Sequence, residues 1–220
     1  PEQAYFGDTH LHTSYSWDAG MIGNTLGPDE AYRFALGERL TSSTGVPAQL
    51  GRPLDFLVIA DHAEGLGVSP MLNAGDPVVL KDPLGAQLYE YVKKGDGGAA
   101  YDGWRKATRE KNNTLIVNQE MMNTAWHKLT ESAEKYNNPG KFTAMIGFEW
   151  TSIPSGNNMH RNVLFRDSKT YADQVTPFSA EDSVDPEDLW KWMEAYETKT
   201  GGKVLAIPHN GNLSNGWMFD

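Results

Sequence analysis

The sequence predicts a single α/β domain, and three observations carry that prediction. Five short β-rich runs recur along 220 residues, helical stretches lie between several of them, and five of the six histidines stand at or beside the end of a run. Strands that alternate with helices build a largely parallel sheet, either open or closed into a barrel. The histidines favour the barrel, because barrels of this class carry their sites at the carboxyl ends of the strands. A chain of this length, with no repeat at a fixed period, fits one domain over residues 1–220.

The strands are expected at residues 5–12, 55–61, 142–150, 160–166 and 203–208, each bounded by Gly, Pro or Asn. A helix should begin after Gly27, where Pro28 takes the first helical position and Asp29 and Glu30 suit the positive end of the helix dipole. Two more are expected near residues 100–111 and 119–136. Another begins at Asp185-Pro186: Leu189, Trp190, Met193 and Tyr196 recur at helical spacing, and Gly201 supplies a stop.

Composition narrows the partners. Nineteen basic against 29 acidic side chains give a net charge of −10, which argues against nucleic acid or an anionic membrane recognised by bulk charge. The longest clean apolar run, residues 56–60, falls far short of the roughly 18–20 residues of a membrane span. No charged-then-apolar leader precedes Tyr5. With no cysteine, there is no disulfide, thiolate zinc site or Cys nucleophile, so any metal must sit on His, Asp and Glu.

The histidines are placed for that task. A lone strand-end histidine is most often structural, but His10, His12, His62, His160 and His209 form a set, with only His127 in a helix. The two-residue strand period puts Asp8, His10 and His12 on one face. It also groups Val58 and Ala60 with His62, Gly147 with Glu149, and Leu205 and Ile207 with His209, while Asp61 points the other way. His12, His62, Glu149 and His209 fall at carboxyl ends; His160 is the exception, since it starts its strand. Imidazole and carboxylate donors on rigid strand ends suit a catalytic transition metal such as Zn²⁺, Mn²⁺ or Fe²⁺.

These residues resemble a known family. Phe6-Gly7-Asp8-Thr9-His10-Leu11-His12, continuing to Asp18-Ala19-Gly20, is similar to the first motif of the PHP superfamily, named for polymerase and histidinol phosphatase. Ala60-Asp61-His62 resembles the second motif, Gly147-Phe148-Glu149-Trp150 resembles its Gly-x-Glu segment, and His160 and Pro208-His209-Asn210 fall where later histidines are expected. The wording is similar to domain of unknown function family 3604, a bacterial PHP-like group. The resemblance implies a distorted (β/α)7 barrel holding two or three divalent ions. Carried across, His10, His12 and Glu149 would hold one ion, Glu149 would bridge to a second with His160 and His209, and Asp18 and His62 would hold a third. Asp61 and Glu64 would stand behind the ligands, with Asp61 orienting an imidazole. The superfamily's closing Asp-x-His has no counterpart after His209, which implies either an incomplete barrel whose missing part belongs to the same polypeptide, or a compact open-sheet variant with a smaller cluster of one or two ions.

The expected activity is metal-dependent hydrolysis of a small anionic substrate, foremost a phosphate ester, with Arg161 beside His160 as the group that grips the anion. Asn210, Asn212, Trp17 and Trp217 could line the site and equally be turn or core residues. Two other readings stay open: an amidohydrolase-type barrel, which would place a carboxylated Lys where this chain has Glu149, and a non-catalytic metal- or ligand-binding barrel. The relatives imply a periplasmic or secreted location, with a cytoplasmic one as the alternative.

Overall fold

The computed structural model describes residues 2–219. In chain order the strands are β1 (Gly7–Leu11), β2 (Leu40–Thr41), β3 (Pro47–Ala48), β4 (Phe56–Ile59), β5 (Thr143–Trp150), β6 (Arg161–Phe165) and β7 (Val204–Pro208). The helices are α1 (Trp17–Met21), α2 (Pro28–Ala35), α3 (Val68–Ala74), α4 (Pro77–Leu80), α5 (Pro83–Lys93), α6 (Gly97–Arg109), α7 (Gln119–Tyr136), α8 (Lys169–Ala172) and α9 (Pro186–Thr200). All five expected strands are present, and β2 and β3 add a small antiparallel hairpin. Among the described residues, no helix is long and apolar enough to cross a membrane.

Local chemistry starts the helices. An aspartate before proline opens α4, α5 and α9, with the carboxylates of Asp76, Asp82 and Asp185 accepting from the N–H groups of Val78, Leu84 and Glu187. At α2, where Gly27 has no side chain to offer, the Glu30 carboxylate accepts from the Gly27 N–H at 3.0 Å. Gly201, with φ of 76°, closes α9 in the left-handed region.

The main sheet has the order β1-β4-β5-β6-β7. β1, β4 and β5 run parallel, but β6 is antiparallel to both β5 and β7, which corrects the expectation of a largely parallel sheet. The reason is connection length. Residues 151–160 join β5 to β6, fewer than the dozen or more that a parallel crossover needs. α9 then carries the chain back, so that β7 again runs in the direction of β5.

The sheet is curled into a five-stranded half-barrel, where the resemblance implies a distorted (β/α)7 barrel that is incomplete in this chain. Its curl can be measured from side chains. In a flat sheet, β1 and β7 would stand roughly 19 Å apart, four strand spacings, yet the rings of His10 and His209 at their ends are 4.0 Å apart between centroids. Inside the curl, the Asn162 side-chain amide of β6 donates to the Thr9 carbonyl of β1 at 2.9 Å.

Strand alternation divides the two faces. The helix-covered face supplies the core: Leu57 and Ile59, then Ile146, Phe148 and Trp150, then Val163 and Phe165. α7 packs on β5 and α2 on β4. Trp126 of α7 meets Phe148 and Phe165 and donates its indole N–H to the Ala172 carbonyl. The inner face carries Val58, Gly147, Leu164 and Leu205, and Leu205 is 59% exposed, so this face is open at its β7 side.

Gly147 allows the sheet to close up next to the site. A Cβ there would lie 2.5 Å from Val58 Cγ1 and 3.0 Å from the Val163 carbonyl oxygen. Gly147→Val should therefore destabilise the fold by about 1–3 kcal/mol, read from denaturant unfolding; wild-type stability in that variant would refute the packing.

Candidate metal centre

The carboxyl ends of β1, β4, β5 and β7 lie at one end of the half-barrel, and the antiparallel direction of β6 brings its amino end to the same place. That direction explains His160. A residue that starts its strand joins residues that end theirs, and the His209 N–H donates to the His160 carbonyl at 3.3 Å. Asp18 comes from the first turn of α1, six residues beyond His12.

The structure brings His10, His12, Asp18, His62, Glu149, His160 and His209 together in three overlapping groups. Glu149, 1% exposed, is their centre. Its Oε2 lies 2.6 Å from His12 Nε2 and 3.5 Å from His10 Nε2, and those two nitrogens are 3.1 Å apart. Its Oε1 lies 2.6 Å from His160 Nδ1 and 3.0 Å from His209 Nε2. The third group joins His12 Nδ1 to Asp18 Oδ1 at 3.4 Å and His62 Nε2 to Asp18 Oδ2 at 3.3 Å. A neutral imidazole has one lone pair to give, so His12 can serve the first group or the third, and the third then rests on Asp18 and His62.

The separations of 3.0–3.5 Å fit a shared cation, while the two of 2.6 Å from Glu149 are of hydrogen-bond length. Donor atoms around a tetrahedral ion with bonds near 2.0–2.1 Å stand roughly 3.3 Å apart. Hydrogen bonding does not explain the second group: Glu149 Oε1 is buried and makes no hydrogen bond, although two imidazole nitrogens are within 3.0 Å, because their directions are wrong for N–H donation. His160 Nε2 and His209 Nδ1 are buried without partners as well.

The electrostatics are those of a concentrated charge cluster. Burial opposes ionisation of Glu149, but His10, His12, His160 and His209 outweigh it and hold the carboxyl well below the usual range. Burial likewise opposes ionisation of Asp18, and contacts with His12 and His62 hold it low. His12 is pushed up to about 10: burial would lower it, and Asp18 and Glu149 overcome that.

Asp61, expected to orient an imidazole, and Arg161, expected to grip an anion, make their hydrogen bonds elsewhere. Asp61 is fully buried, and its carboxylate accepts from the Thr13 N–H at 2.5 Å and the Thr13 hydroxyl at 2.7 Å. It fixes the chain just after His12 instead of orienting an imidazole. Burial raises its pKa to about 6, against the lowering by Thr13. Arg161 points away from the cluster, as strand alternation demands of a residue next to His160. Its guanidinium donates to the carbonyls of Met159 and Met218 and packs over Trp150 and Trp190, so it is not free to grip an anion.

Other side chains fill the supporting roles. The Thr151 hydroxyl meets His62 Nδ1, the Ser16 hydroxyl lies 3.3 Å from His12 Nδ1, and the His62 N–H donates to that same hydroxyl at 3.2 Å. Glu64 stands behind the site, accepting from Thr151 N–H. Trp17 stacks on the His62 ring with centroids 5.5 Å apart. Asn210 shapes the turn after β7 with φ of 56°, Trp217 is half exposed, and His127 is exposed on α7 away from the groups. Nothing in the spacing of Thr13, Ser16 or Thr151 marked them out beforehand.

Fold and site together define a mixed α/β protein with a histidine–carboxylate cluster at the mouth of a curled sheet. The family model described as "Protein of unknown function (DUF3604)" matches residues 1–220, and the chain belongs to that family. No curated protein and no solved structure matches the chain at a significant level.

Loss of the Asp61 anchor has a measurable cost. Asp61→Ala leaves two buried donors of Thr13 unsatisfied and should cost about 1–3 kcal/mol of stability, whereas Asp61→Asn, which keeps one acceptor oxygen, should lose less. Denaturant midpoints of the two variants in the reverse order would refute the anchoring role.

Proposed function

We propose that this chain is a metal-dependent hydrolase of the PHP class, that its curled sheet is part of a distorted (β/α)7 barrel, and that its substrate is a small phosphate ester. The observation that carries the reading is Glu149, a buried carboxylate whose Oε2 faces His10, His12 and His62 and whose Oε1 faces His160 and His209, with Oε1 unpaired by any hydrogen bond. The ordered motifs from His10 to His209 support it, as does membership of a family whose wording they share.

On this reading His10 and His12 hold one ion, His160 and His209 hold another, and Glu149 serves both. Asp18 and His62 form the place for a third. The nitrogen and oxygen donors suit Zn²⁺, Mn²⁺ or Fe²⁺. Divalent cations bound there would supply Lewis acidity and water of lowered pKa beside the substrate. The protein's own contribution is positional and electrostatic. Glu149 stays ionised and sets the spacing of the two groups, while neutral imidazoles add ligands without adding negative charge. Because one carboxylate serves both groups, the chain neutralises little of the cations' charge, which leaves the mouth attractive to an anion despite a net charge of −10. Thr151 and Ser16 hold the rings of His62 and His12 in place.

Elemental analysis tests the metal assignment. Wild-type protein loaded with Zn²⁺ or Mn²⁺ should retain at least two ions per chain, about one fewer in His160→Ala, and almost none in Glu149→Ala. Metal-free wild-type protein after loading would overturn the assignment. Phosphomonoesters and diesters should then be hydrolysed in a reaction that chelator abolishes and Mn²⁺ or Zn²⁺ restores. A folded, fully loaded protein that turns over neither would favour a binding protein.

Thr151→Val should weaken metal retention by about 10- to 100-fold, the usual effect of removing a hydrogen bond behind a metal-bound imidazole. Competition with a chelator measures it; an unchanged affinity would remove His62 from the ligand set.

A further inference from the structure

His10 sits on an irregular piece of β1. Between the pairs Asp8–Leu57 and Leu11–Ile59 the chain advances three residues on β1 and two on β4, so β1 carries one extra residue, a bulge at Thr9 and His10. A bulge interrupts the ladder and re-aims the side chains it carries. The ladder alone therefore does not set the direction of His10.

The peptide unit between Thr9 and His10 is held in another way. Its N–H donates to Asp8 Oδ1 at 2.9 Å, and its carbonyl accepts from the Asn162 side-chain amide at 2.9 Å. Both polar groups of one planar unit are thus taken by side chains, one from β1 itself and one from β6. The Cα of His10 belongs to that plane, so the unit cannot turn, and His10 with it, unless one of the two bonds breaks. Asp8 is exposed, and water can replace it; Asn162 is 1% exposed and has no such substitute.

Register puts Asn162 in reach. It pairs with Glu149 of β5 and stands two residues from His160, which places all three on the inner face. A carbonyl only accepts, so the amide must present its NH2 to Thr9. Its Oδ1 is then left buried without a hydrogen bond. A half-satisfied buried amide is costly: an apolar side chain of similar size would remove that cost but would leave the Thr9 carbonyl unheld. Among the described residues this is also the only hydrogen bond that joins β1 to β6 or β7. It links the strand of His10 to the strand that follows His160.

We infer that Asn162 is a positioning residue for the cluster: by holding the Thr9 carbonyl it fixes the plane of the Thr9–His10 peptide and aims the His10 imidazole at Glu149, whose Oε2 lies 3.5 Å from His10 Nε2. Its effect on metal rests on the reading proposed above, whereas its grip on β1 does not.

Hydrogen exchange tests the grip in metal-free protein. The amides of residues 9–12 should exchange about tenfold faster in Asn162→Leu than in wild type, the effect of losing one buried hydrogen bond, while those of β4 and β5 keep their rates. Unchanged rates in residues 9–12 would overturn the inference. Competition with a chelator tests the aim. Asn162→Leu should weaken retention of one Zn²⁺ by about tenfold, and in a His10→Ala background the same substitution should add no further loss, because the imidazole it acts on is already gone. An equal loss in both backgrounds would show that β6 is loosened as a whole and would overturn the positioning role. Where Asn162→Leu fails to fold, Asn162→Thr carries both comparisons: it suits a strand, and its hydroxyl stands one bond closer to the backbone than the amide nitrogen. Wild-type protein that holds no metal after loading would overturn the metal-dependent reading, and the exchange rates would still decide whether Asn162 holds β1.

Discussion

A carboxylate removed from water costs several kcal/mol unless its charge is met by partners, and Glu149 is met from four directions by His10, His12, His160 and His209. The partners arrive from β1, β6 and β7, strands that a flat sheet would hold far apart. Curl and carboxylate therefore depend on each other: the curl delivers the imidazoles, and the charge of Glu149 gives the two edges of the sheet a reason to meet. Gly147, one alternation earlier on the same face, leaves the space in which Val58 approaches β5.

Around that centre the protein spends polar groups on rigidity. Asp61, Ser16, Thr13 and Thr151 are buried or half-buried, and each holds a piece of chain next to a histidine. Arg161 is used in the same way at the far side of β6, where it ties Met159 to Met218. The mouth is thus built by side chains whose bonds run across long sequence distances, and its few unpaired atoms are concentrated on Glu149, His160, His209, Asn162 and Glu64.

Much of this was legible in the chain, for reasons that can be named. Period-two alternation located β1, β4, β5, β6 and β7 to within a residue or two, and the same alternation put His62, Glu149 and His209 on one face. It could also have placed Arg161 on the opposite face from His160, since neighbours in a strand always part. The ten-residue limit on the β5–β6 connection was equally visible and forbids a parallel pair. Asp82-Pro83, with Leu84, Leu88 and Tyr91 at helical spacing, marks α5 as plainly as Asp185-Pro186 marks α9. By contrast, the bond from Asp61 to Thr13 and the unpaired oxygen of Glu64 depend on how separate loops meet, and no local pattern encodes them. The two-residue strands of the β2–β3 hairpin are too short to alternate.

The strands that carry the outermost histidines are also the two edges of the sheet, and an edge has a neighbour on one side only. Local opening is cheapest where bonds are fewest, so β1 and β7 should fray before the β4–β5–β6 centre loosens. His10 and His209 are separated by nearly the entire chain, which makes their meeting one of the most expensive loop closures in the molecule and places it late in folding. The cluster therefore depends on contacts that should form late and open early, and a chain could keep its helices and most of its core while no longer possessing a site.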